Sequence, residues 1–278
     1  MRDRLRHENP AFRADWVIIM LDLLLICAGW VSICGASHEI GDTDFFSWGT
    51  RSGKQLVWMG CSLGLGLFLL MIDEKYFDLF PEVRKYTDVS VDFLTAFPPK
   101  TPVCFATMYT GAEPAVHGIT HYSKPVLTID TLFDALPDSG KKVAMVAVAN
   151  QSIPRIFAQR NIDYYLMKYD DEVIEKALEL IPQDKYDVIE VYNQEYDDKM
   201  HRSYPTSKMA VNALRHYNAS FGKLMSAVTT HWQTHDTFVA FSTDHGVHKP
   251  LFGLGTHGKN IPKDMNIRHF FGVLPKQK

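Results

Sequence analysis

Residues 236–248 read DTFVAFSTDHGVH, an apolar strand-like run that ends in an Asp-His-Gly sequence. Asp244 and His245 therefore follow the strand directly, and Gly246 lets the backbone turn beside a ligand. In open α/β sheets, ligands bind at the carboxyl ends of the strands. The pattern predicts that this Asp-His pair belongs to a site, where an adjacent pair can serve two neighbouring ions with one ligand to each.

Strand-like and helix-like segments alternate on the amino-terminal side of this run. KKVAMVAVAN (141–150) and YDVIEVY (186–192) have the apolar character of buried strands, whereas DDEVIEKALELI (170–181) has its apolar residues at helical spacing. A longer helix with one apolar face is predicted over 207–231. The alternation predicts an α/β fold with a mainly parallel sheet flanked by helices.

Two further groups of candidate metal ligands follow the same pattern. Asp197 and His201 stand four residues apart after YDVIEVY, so a helical turn would let both side chains converge on one ion. His257 lies between glycines in LGTHGKN (254–260). One such residue is usually a solvated loop residue, but three separate groups of Asp and His favour a two-metal hydrolase. The neighbouring Asp198 is placed outside the site.

The candidate nucleophile lies in FPPKTPVCFATMYTGAEPAVHGI (97–119). Thr101 follows a Pro-rich turn and precedes a helix-like stretch, so its hydroxyl can point at a phosphate bound at the amino end of a helix. On this motif alone, an ordinary helix cap is the better explanation of Thr101. The downstream Asp and His groups make a nucleophile the stronger interpretation.

The amino-terminal part of the chain has a different composition from the rest. Apolar runs at 16–36 and 56–72 predict a transmembrane hairpin, since a hydrocarbon core of ~30 Å requires spans of about this length. Two buried helices of a soluble protein are the alternative. Arg and Lys residues flank the hairpin on its outer sides, which predicts that both ends are cytoplasmic. The expected domains are a membrane hairpin at 1–80 and an α/β domain at 82–278, with the α/β domain in the cytoplasm.

Overall composition excludes several classes of protein. The formal net charge of −3 and a pI of about 6.4 provide no basic field for nucleic acid, so no nucleic acid polymer is expected as a partner. The four cysteines contain no Cys-x-x-Cys pair, which argues against a disulfide framework and against a zinc ribbon.

Taken together, the motifs from about residue 82 to the end resemble the alkaline phosphatase superfamily, specifically its nucleotide pyrophosphatase/phosphodiesterase branch. The resemblance rests on a Thr with a TG-x2-P-x2-HG tail, then D-x3-H-x3-P-x-S, S-x-DHG and GTHG, in that order. It implies hydrolysis of a phosphodiester or nucleotide pyrophosphate, with Thr101 as the nucleophile that becomes phosphorylated. It also implies two divalent ions, usually zinc. The implied ligands are Asp197, His201 and His257 for one ion, and Asp244, His245 and the Thr101 oxygen for the other.

Two departures from the family pattern affect the expected site. Family members start with a strand that ends in Asp-Gly and whose carboxylate binds the second metal, but the apolar amino-terminal segment occupies that region here. Asp73 is the only candidate with an apolar run before it, and it lacks the following Gly, so we interpret it as a helix-end residue. The second ion is therefore expected to bind weakly. Tyr122 stands where the family usually presents an Asn to a phosphoryl oxygen, which makes it the candidate substrate-binding residue.

The first 80 residues or so resemble a different family. DWVIIMLDLLLICAGWVSICGAS and FSWGTRSGKQLVWMG are similar to the first two membrane helices of the SEDS family, the peptidoglycan polymerases related to RodA and FtsW. This resemblance implies a membrane anchor without polymerase activity. The expected substrate is a small phosphoester or nucleotide. The alternatives are a catalytically inactive membrane-anchored fusion, a truncated SEDS-like fragment, and a phosphoryl transfer of the phosphoglycerate mutase type.

Overall fold

The computed structural model describes residues 16–37, 46–48, 50, 52–61 and 79–277 of the 278-residue chain. The chain divides into two compact units, Met1–Asp78 and Leu79–Lys278. The candidate nucleophile and all of the candidate metal ligands in the described residues belong to the second unit. Asp73 lies outside the described residues.

In the first unit, helix α1 covers Trp16–Ser37, and residues 52–61 are also helical. The Trp30 indole N–H donates to the Ser52 carbonyl at 3.0 Å, and this contact joins the two segments. No helix within the described residues is both long enough and apolar enough to cross a membrane. Residues 62–72, the larger part of the second predicted span, lie outside the described residues, so the hairpin predicted at 16–36 and 56–72 stays a prediction.

The second unit contains six strands and nine α-helices in its described residues. The strands are β1 (Val89–Leu94), β2 (Val143–Val148), β3 (Asp163–Met167), β4 (Val188–Tyr192), β5 (Thr237–Phe241) and β6 (Asn266–Leu274). The helices are α2 (Pro81–Tyr86), α3 (Thr101–Thr110), α4 (Pro114–His117), α5 (Leu132–Asp138), α6 (Ser152–Ile156), α7 (Asp170–Leu180), α8 (Glu195–His201), α9 (Lys208–His231) and α10 (Pro262–Met265). A 3₁₀ turn at Ile181–Gln183 follows α7.

These strands form two three-stranded sheets. Strand β2 lies between β3 and β4 and is parallel to both, whereas β6 lies between β1 and β5 and is antiparallel to both. The α/β class is confirmed, and the expected parallel arrangement is correct for the first sheet and wrong for the second. Parallel neighbours need a crossover, usually a helix. The segment between β5 and β6 contains only the four-residue α10, and β6 returns antiparallel along β5.

Strand β2 is the centre of the core, because all six of its side chains are buried. A strand of a parallel sheet is apolar throughout when helices cover both faces. Met145 faces the cluster that contains Phe133 and Phe157, and Val146 faces the cluster that contains Val173. This packing explains why VAMVAV shows no polar alternation and fixes the carboxyl edge of the sheet, where α8 begins after β4.

The longest helix, α9, begins where the sequence predicted it. Ser207 is its N-cap, and the Ser207 hydroxyl accepts a hydrogen bond from the Ala210 N–H at 3.1 Å. We expect Ser207→Ala to lower the free energy of unfolding by about 1 kcal/mol, because an N–H at the helix start loses its acceptor. Urea denaturation measures this change. The control is Ser226→Ala at an exposed position in the same helix, and an equal loss in both variants would contradict the capping role.

Candidate active site

Four segments bring the candidate residues to one edge of the fold. Helix α8, which follows β4, carries Asp197 and His201. Asp244 and His245 follow β5. His257 lies in the loop before α10, and the remaining segment is the start of α3. The sequence prediction that these polar groups converge at strand ends agrees with their positions.

One cluster consists of Asp197, His201 and His257. The Asp197 Oδ1 lies 3.4 Å from the His201 Nε2 and 3.7 Å from the His257 Nε2. The three ligand atoms all lie within 4.8 Å of one another. Ligands at zinc distances of about 2.1 Å in a tetrahedron are roughly 3.4 Å apart, so a small contraction would fit these atoms to one ion.

Backbone carbonyls orient the three imidazoles of the site. The Nδ1 of His201 lies 3.0 Å from the Gly255 carbonyl, and the Nδ1 of His257 lies 2.9 Å from the Pro99 carbonyl. The Nδ1 of His245 lies 3.0 Å from the carbonyl of the next residue. A carbonyl oxygen only accepts, so each Nδ1 donates a hydrogen bond, and the Nε2 of each ring faces the carboxylates. Metal-binding histidines are commonly oriented in this way.

The arrangement places hydrogen-bond acceptors against one another. The Asp197 Oδ1 is buried without a hydrogen-bond partner among the described residues, and it faces two Nε2 atoms. Either a proton or a metal cation can relieve this repulsion. Burial and the neighbouring His245 lower the pKa of His257 to about 4, which disfavours the proton near neutral pH. The cluster therefore fits a metal cation, and its nitrogen and oxygen ligands are those that zinc accepts.

The second cluster consists of Asp244, His245 and Thr101. The His245 Nε2 lies 3.2 Å from the Asp244 Oδ2 and 3.2 Å from the Thr101 Oγ1. The Asp244 Oδ2 is buried and has no hydrogen-bond partner among the described residues. Burial raises the pKa of Asp244 to about 6 and lowers the pKa of His245. A buried carboxylate with an unused oxygen also fits a cation, but this cluster has one imidazole where the first cluster has two.

Thr101 occupies the first position of helix α3, after Lys100 as N-cap. The first N–H groups of a helix lack partners within it and carry partial positive charge, so they attract phosphate. The hydroxyl of Thr101 therefore belongs both to the amino end of α3 and to the second cluster. The Lys100 Nζ donates to the His257 carbonyl at 3.0 Å, which links the start of α3 to the first cluster.

Several residues that were considered from the sequence lie outside the two clusters. Tyr122 is 58% exposed, and its recorded contact is with Lys124, so its substrate-binding role stays a prediction. Asp198 accepts from the Tyr169 hydroxyl at 3.1 Å and from Gln194, which agrees with its placement outside the site. The Thr107 hydroxyl lies 3.0 Å from the His117 Nε2, so the His-Gly tail positions α3 and α4.

Sequence reasoning missed two contributors to the site. Lys100 was overlooked because only the hydroxyl of the next residue had an obvious chemical role. Asp264 is fully buried, and its carboxylate lies 2.7 Å from the His248 Nδ1 and accepts from the Lys259 N–H. These bonds tie together both ends of the loop that carries His257. No local pattern in the sequence marks Asp264 as a partner of residues at this distance along the chain.

Gly246 has a different role from the one that the sequence indicated. Its backbone does not have the positive φ that would require glycine, but a Cβ at this position would collide with the Lys263 carbonyl. Gly246→Ala should therefore displace the Asp-His pair, weaken zinc binding and lower the free energy of unfolding by about 2 kcal/mol. Thermal denaturation and zinc titration measure both effects.

The control for this variant is Gly111→Ala, where the backbone has φ of 68° and a Cβ would meet no atom within 4 Å. This change should destabilise the fold through backbone strain and leave zinc binding intact. Equal zinc loss in both variants would mean that general destabilisation, and not displacement of the pair, is responsible.

Comparisons with known proteins place this geometry in a known fold. No protein-family model and no curated protein matches the chain, so the resemblance of the first 80 residues to the SEDS family is unsupported. Murine ectonucleotide pyrophosphatase/phosphodiesterase 5 matches with a TM-score of 0.50 and 17% identity, over 63% of this chain and 54% of that chain. An inactive variant of that protein in complex with AMP matches with 16% identity, a TM-score of 0.50 and the same coverage.

The human ectonucleotide pyrophosphatase/phosphodiesterase 5 also matches, with 15% identity and a TM-score of 0.50, over 62% of this chain and 52% of that chain. The chain thus spans about half the length of these solved structures. At these low identities, what the likeness shows is a shared fold.

Proposed function

We propose that the chain is a metal-dependent phosphoesterase in which Thr101 is the nucleophile. The observation that carries the proposal is the position of the Thr101 hydroxyl, at the amino end of α3 and 3.2 Å from His245. The two clusters, which adjoin through the stacked rings of His245 and His257, each contain one buried carboxylate oxygen without a hydrogen-bond partner among the described residues, on Asp197 and Asp244. Phosphoryl transfer requires a nucleophile, groups that bind the phosphate, and cations that stabilise its charge. The Thr101 hydroxyl, the amino end of α3 and the two carboxylates could provide these three functions.

The proposed ligands of the first ion are Asp197, His201 and His257, and those of the second are Asp244, His245 and the Thr101 oxygen. Ions bound there would supply positive charge that acidifies the Thr101 hydroxyl and stabilises the oxygens of the reacting phosphoryl group. Three protein ligands with one open position are typical of a catalytic zinc.

The proposed reaction is a double displacement. The Thr101 oxygen gives its proton to water and attacks phosphorus. The bond from phosphorus to the leaving oxygen breaks, and the leaving group takes up a proton from water as it departs. Water then attacks the phospho-threonine, which releases phosphate or a phosphomonoester and restores the hydroxyl. The amino-terminal N–H groups of α3 stabilise the negative charge that develops on the phosphoryl oxygens.

The proposed substrate is a small phosphodiester or a nucleotide. Two observations support this class: the order of the sequence motifs, and the shared fold with a murine protein whose inactive variant was solved in complex with AMP. The Tyr122 hydroxyl, as a hydrogen-bond donor, is the proposed contact to the substrate.

The two clusters should differ in zinc affinity. We expect close to one tightly bound zinc per chain, because the cluster at Asp244 offers one imidazole where the cluster at Asp197 offers two, and its third ligand is the neutral Thr101 hydroxyl. Metal analysis after dialysis measures the content, and hydrolysis of a chromogenic phosphodiester measures turnover, which should be slow but abolished by a chelator. Two tightly bound zinc ions would contradict the expected asymmetry, and zinc binding without any hydrolysis would favour a catalytically inactive protein.

A further inference from the structure

Helix α8, which carries Asp197 and His201, receives its capping hydrogen bonds from other helices. A helix begins with N–H groups that have no acceptor within it, and the side chain at the N-cap often supplies one. Gln194 is the N-cap of α8, but within the described residues its side chain makes no capping hydrogen bond. Its amide group donates to Asp198 instead. The acceptors for the start of α8 come from α7 and α9.

The first acceptor is the carboxylate of Asp170, at the start of α7. The Asp170 Oδ1 accepts from the Gln194 N–H at 3.0 Å, and the Oδ2 accepts from the Glu195 N–H at 2.9 Å. Asp170 is only 1% exposed. Burial raises the pKa of Asp170, and the hydrogen bonds from the two N–H groups oppose this rise. A carboxylate is costly to bury without such donors, so the carboxylate and the helix start satisfy each other.

The second acceptor is the hydroxyl of Tyr217, on α9. It accepts from the Tyr196 N–H at 2.8 Å. Three consecutive N–H groups, those of residues 194–196, therefore have acceptors on two different helices. The first turn of α8 is held from both sides.

A third contact joins the same three helices. The His216 Nδ1 lies 2.7 Å from the Glu195 Oε2, and the Nε2 of the same ring lies 3.2 Å from the Asp171 Oδ1. His216 belongs to α9, Glu195 to α8 and Asp171 to α7. The side chain of the first α8 residue is thus held by the same helices that cap its backbone.

The position of Asp197 depends on this first turn more than that of His201 does. His201 ends α8, and its Nδ1 has a partner of its own in the Gly255 carbonyl. The Asp197 Oδ1 has no hydrogen-bond partner among the described residues. Asp197 is the third residue of α8, so a shift of the helix start would move its carboxylate directly.

We propose that Asp170 and Tyr217 are positioning residues of the first cluster. They fix the first turn of α8, and that turn sets where the Asp197 carboxylate lies. Neither side chain belongs to the proposed ligand set. The inference rests on the proposed function, since the ion at this cluster is part of that proposal.

The test compares the zinc affinity of the full chain with that of Asp170→Asn and Tyr217→Phe, by competition with a chelating dye. Asn keeps the size of the side chain but replaces one oxygen by an NH₂ group, which cannot accept, and Phe removes the hydroxyl. Each variant should bind zinc about 10-fold or more weakly, the effect typical of groups that orient metal ligands. The visible absorption of the Co²⁺-loaded chain should change as well, because it depends on the ligand geometry.

Two matched variants separate positioning from general stability. The Asp134 carboxylate accepts from the Thr131 N–H at 2.9 Å at the start of α5, and the Tyr164 hydroxyl accepts from the Arg160 N–H at 3.0 Å. Asp134→Asn and Tyr164→Phe make the same chemical changes away from α8. They should lower the melting temperature, as the test variants do, but leave the zinc affinity and the Co²⁺ spectrum almost unchanged.

Two results would overturn the positioning role: zinc affinity that stays unchanged in Asp170→Asn and Tyr217→Phe, or an equal loss in all four variants. If the unchanged chain binds no zinc, the proposed function is wrong, and hydrogen exchange of the amides at 194–198 decides the positioning role by itself. Faster exchange in Asp170→Asn than in Asp134→Asn would support it. Equal exchange in these two variants would contradict it.

Discussion

Thr101→Ala should reduce phosphodiester hydrolysis by roughly 10³-fold or more while the zinc content stays nearly unchanged. The variant removes the oxygen that is proposed to attack phosphorus. The ligands Asp197, His201 and His257 keep their carboxylate and imidazole groups, so the first ion should still bind. Steady-state hydrolysis of a chromogenic phosphodiester, together with metal analysis of the same preparation, measures both quantities.

Two matched variants make this result specific. Thr101→Ser keeps a hydroxyl at the start of α3 and should retain part of the activity. Thr107→Ala removes a hydroxyl one and a half turns along the same helix, where it contacts His117 and not the metal cluster. An active Thr101→Ala variant beside an inactive Thr107→Ala variant would show that the wrong threonine has been assigned.

Asp197→Asn should have the second large effect, because it removes the only negative charge of the first cluster. The Asp197 Oδ1 is the atom that faces both the His201 and the His257 nitrogens. Changes in residues that only orient metal ligands already cost about 10–100-fold in affinity, so loss of this ligand should cost more than about 100-fold. Competition with a chelating dye measures the zinc affinity.

The neighbouring carboxylate provides the control for this change. Asp198 lies on the same helix but bonds to Tyr169 and Gln194, so Asp198→Asn should leave the zinc affinity almost unchanged. If the two Asn variants lost zinc equally, the effect would come from disturbance of α8, and the assignment of Asp197 as a ligand would be wrong.

Segments of the fold with strong apolar patterns could be predicted from the sequence. Strand β2, helix α7 and helix α9 lie within or close to their predicted ranges, because one apolar face or an unbroken apolar run decides each of them. Strand β1 was not predicted. Its residues are all exposed, and its position depends on pairing with β6, including the ion pair of Asp92 with Arg268. Such long-range pairing leaves no local periodicity.

The candidate site divides in the same way, into residues that short sequence patterns predict and contacts that depend on residues far apart in the chain. Asp-His spacing, strand ends and the Gly-flanked loop predicted Asp197, His201, Asp244, His245 and His257, because Asp and His are residue types that bind metals. The orientation of each imidazole depends on a backbone carbonyl, and two of those carbonyls, Pro99 and Gly255, are far away along the chain. A carbonyl belongs to every residue, so no residue type reveals this role.

The most direct test of the central claim is detection of phosphate on Thr101 during turnover. The zinc-loaded chain is mixed with a chromogenic phosphodiester, quenched in acid within the first turnovers, digested and analysed by mass spectrometry. We predict a peptide that carries the substrate-derived phosphoryl group on Thr101, absent from Thr101→Ala. Hydrolysis that proceeds at an unchanged rate in Thr101→Ala, with no phosphorylated peptide in either protein, would contradict the account.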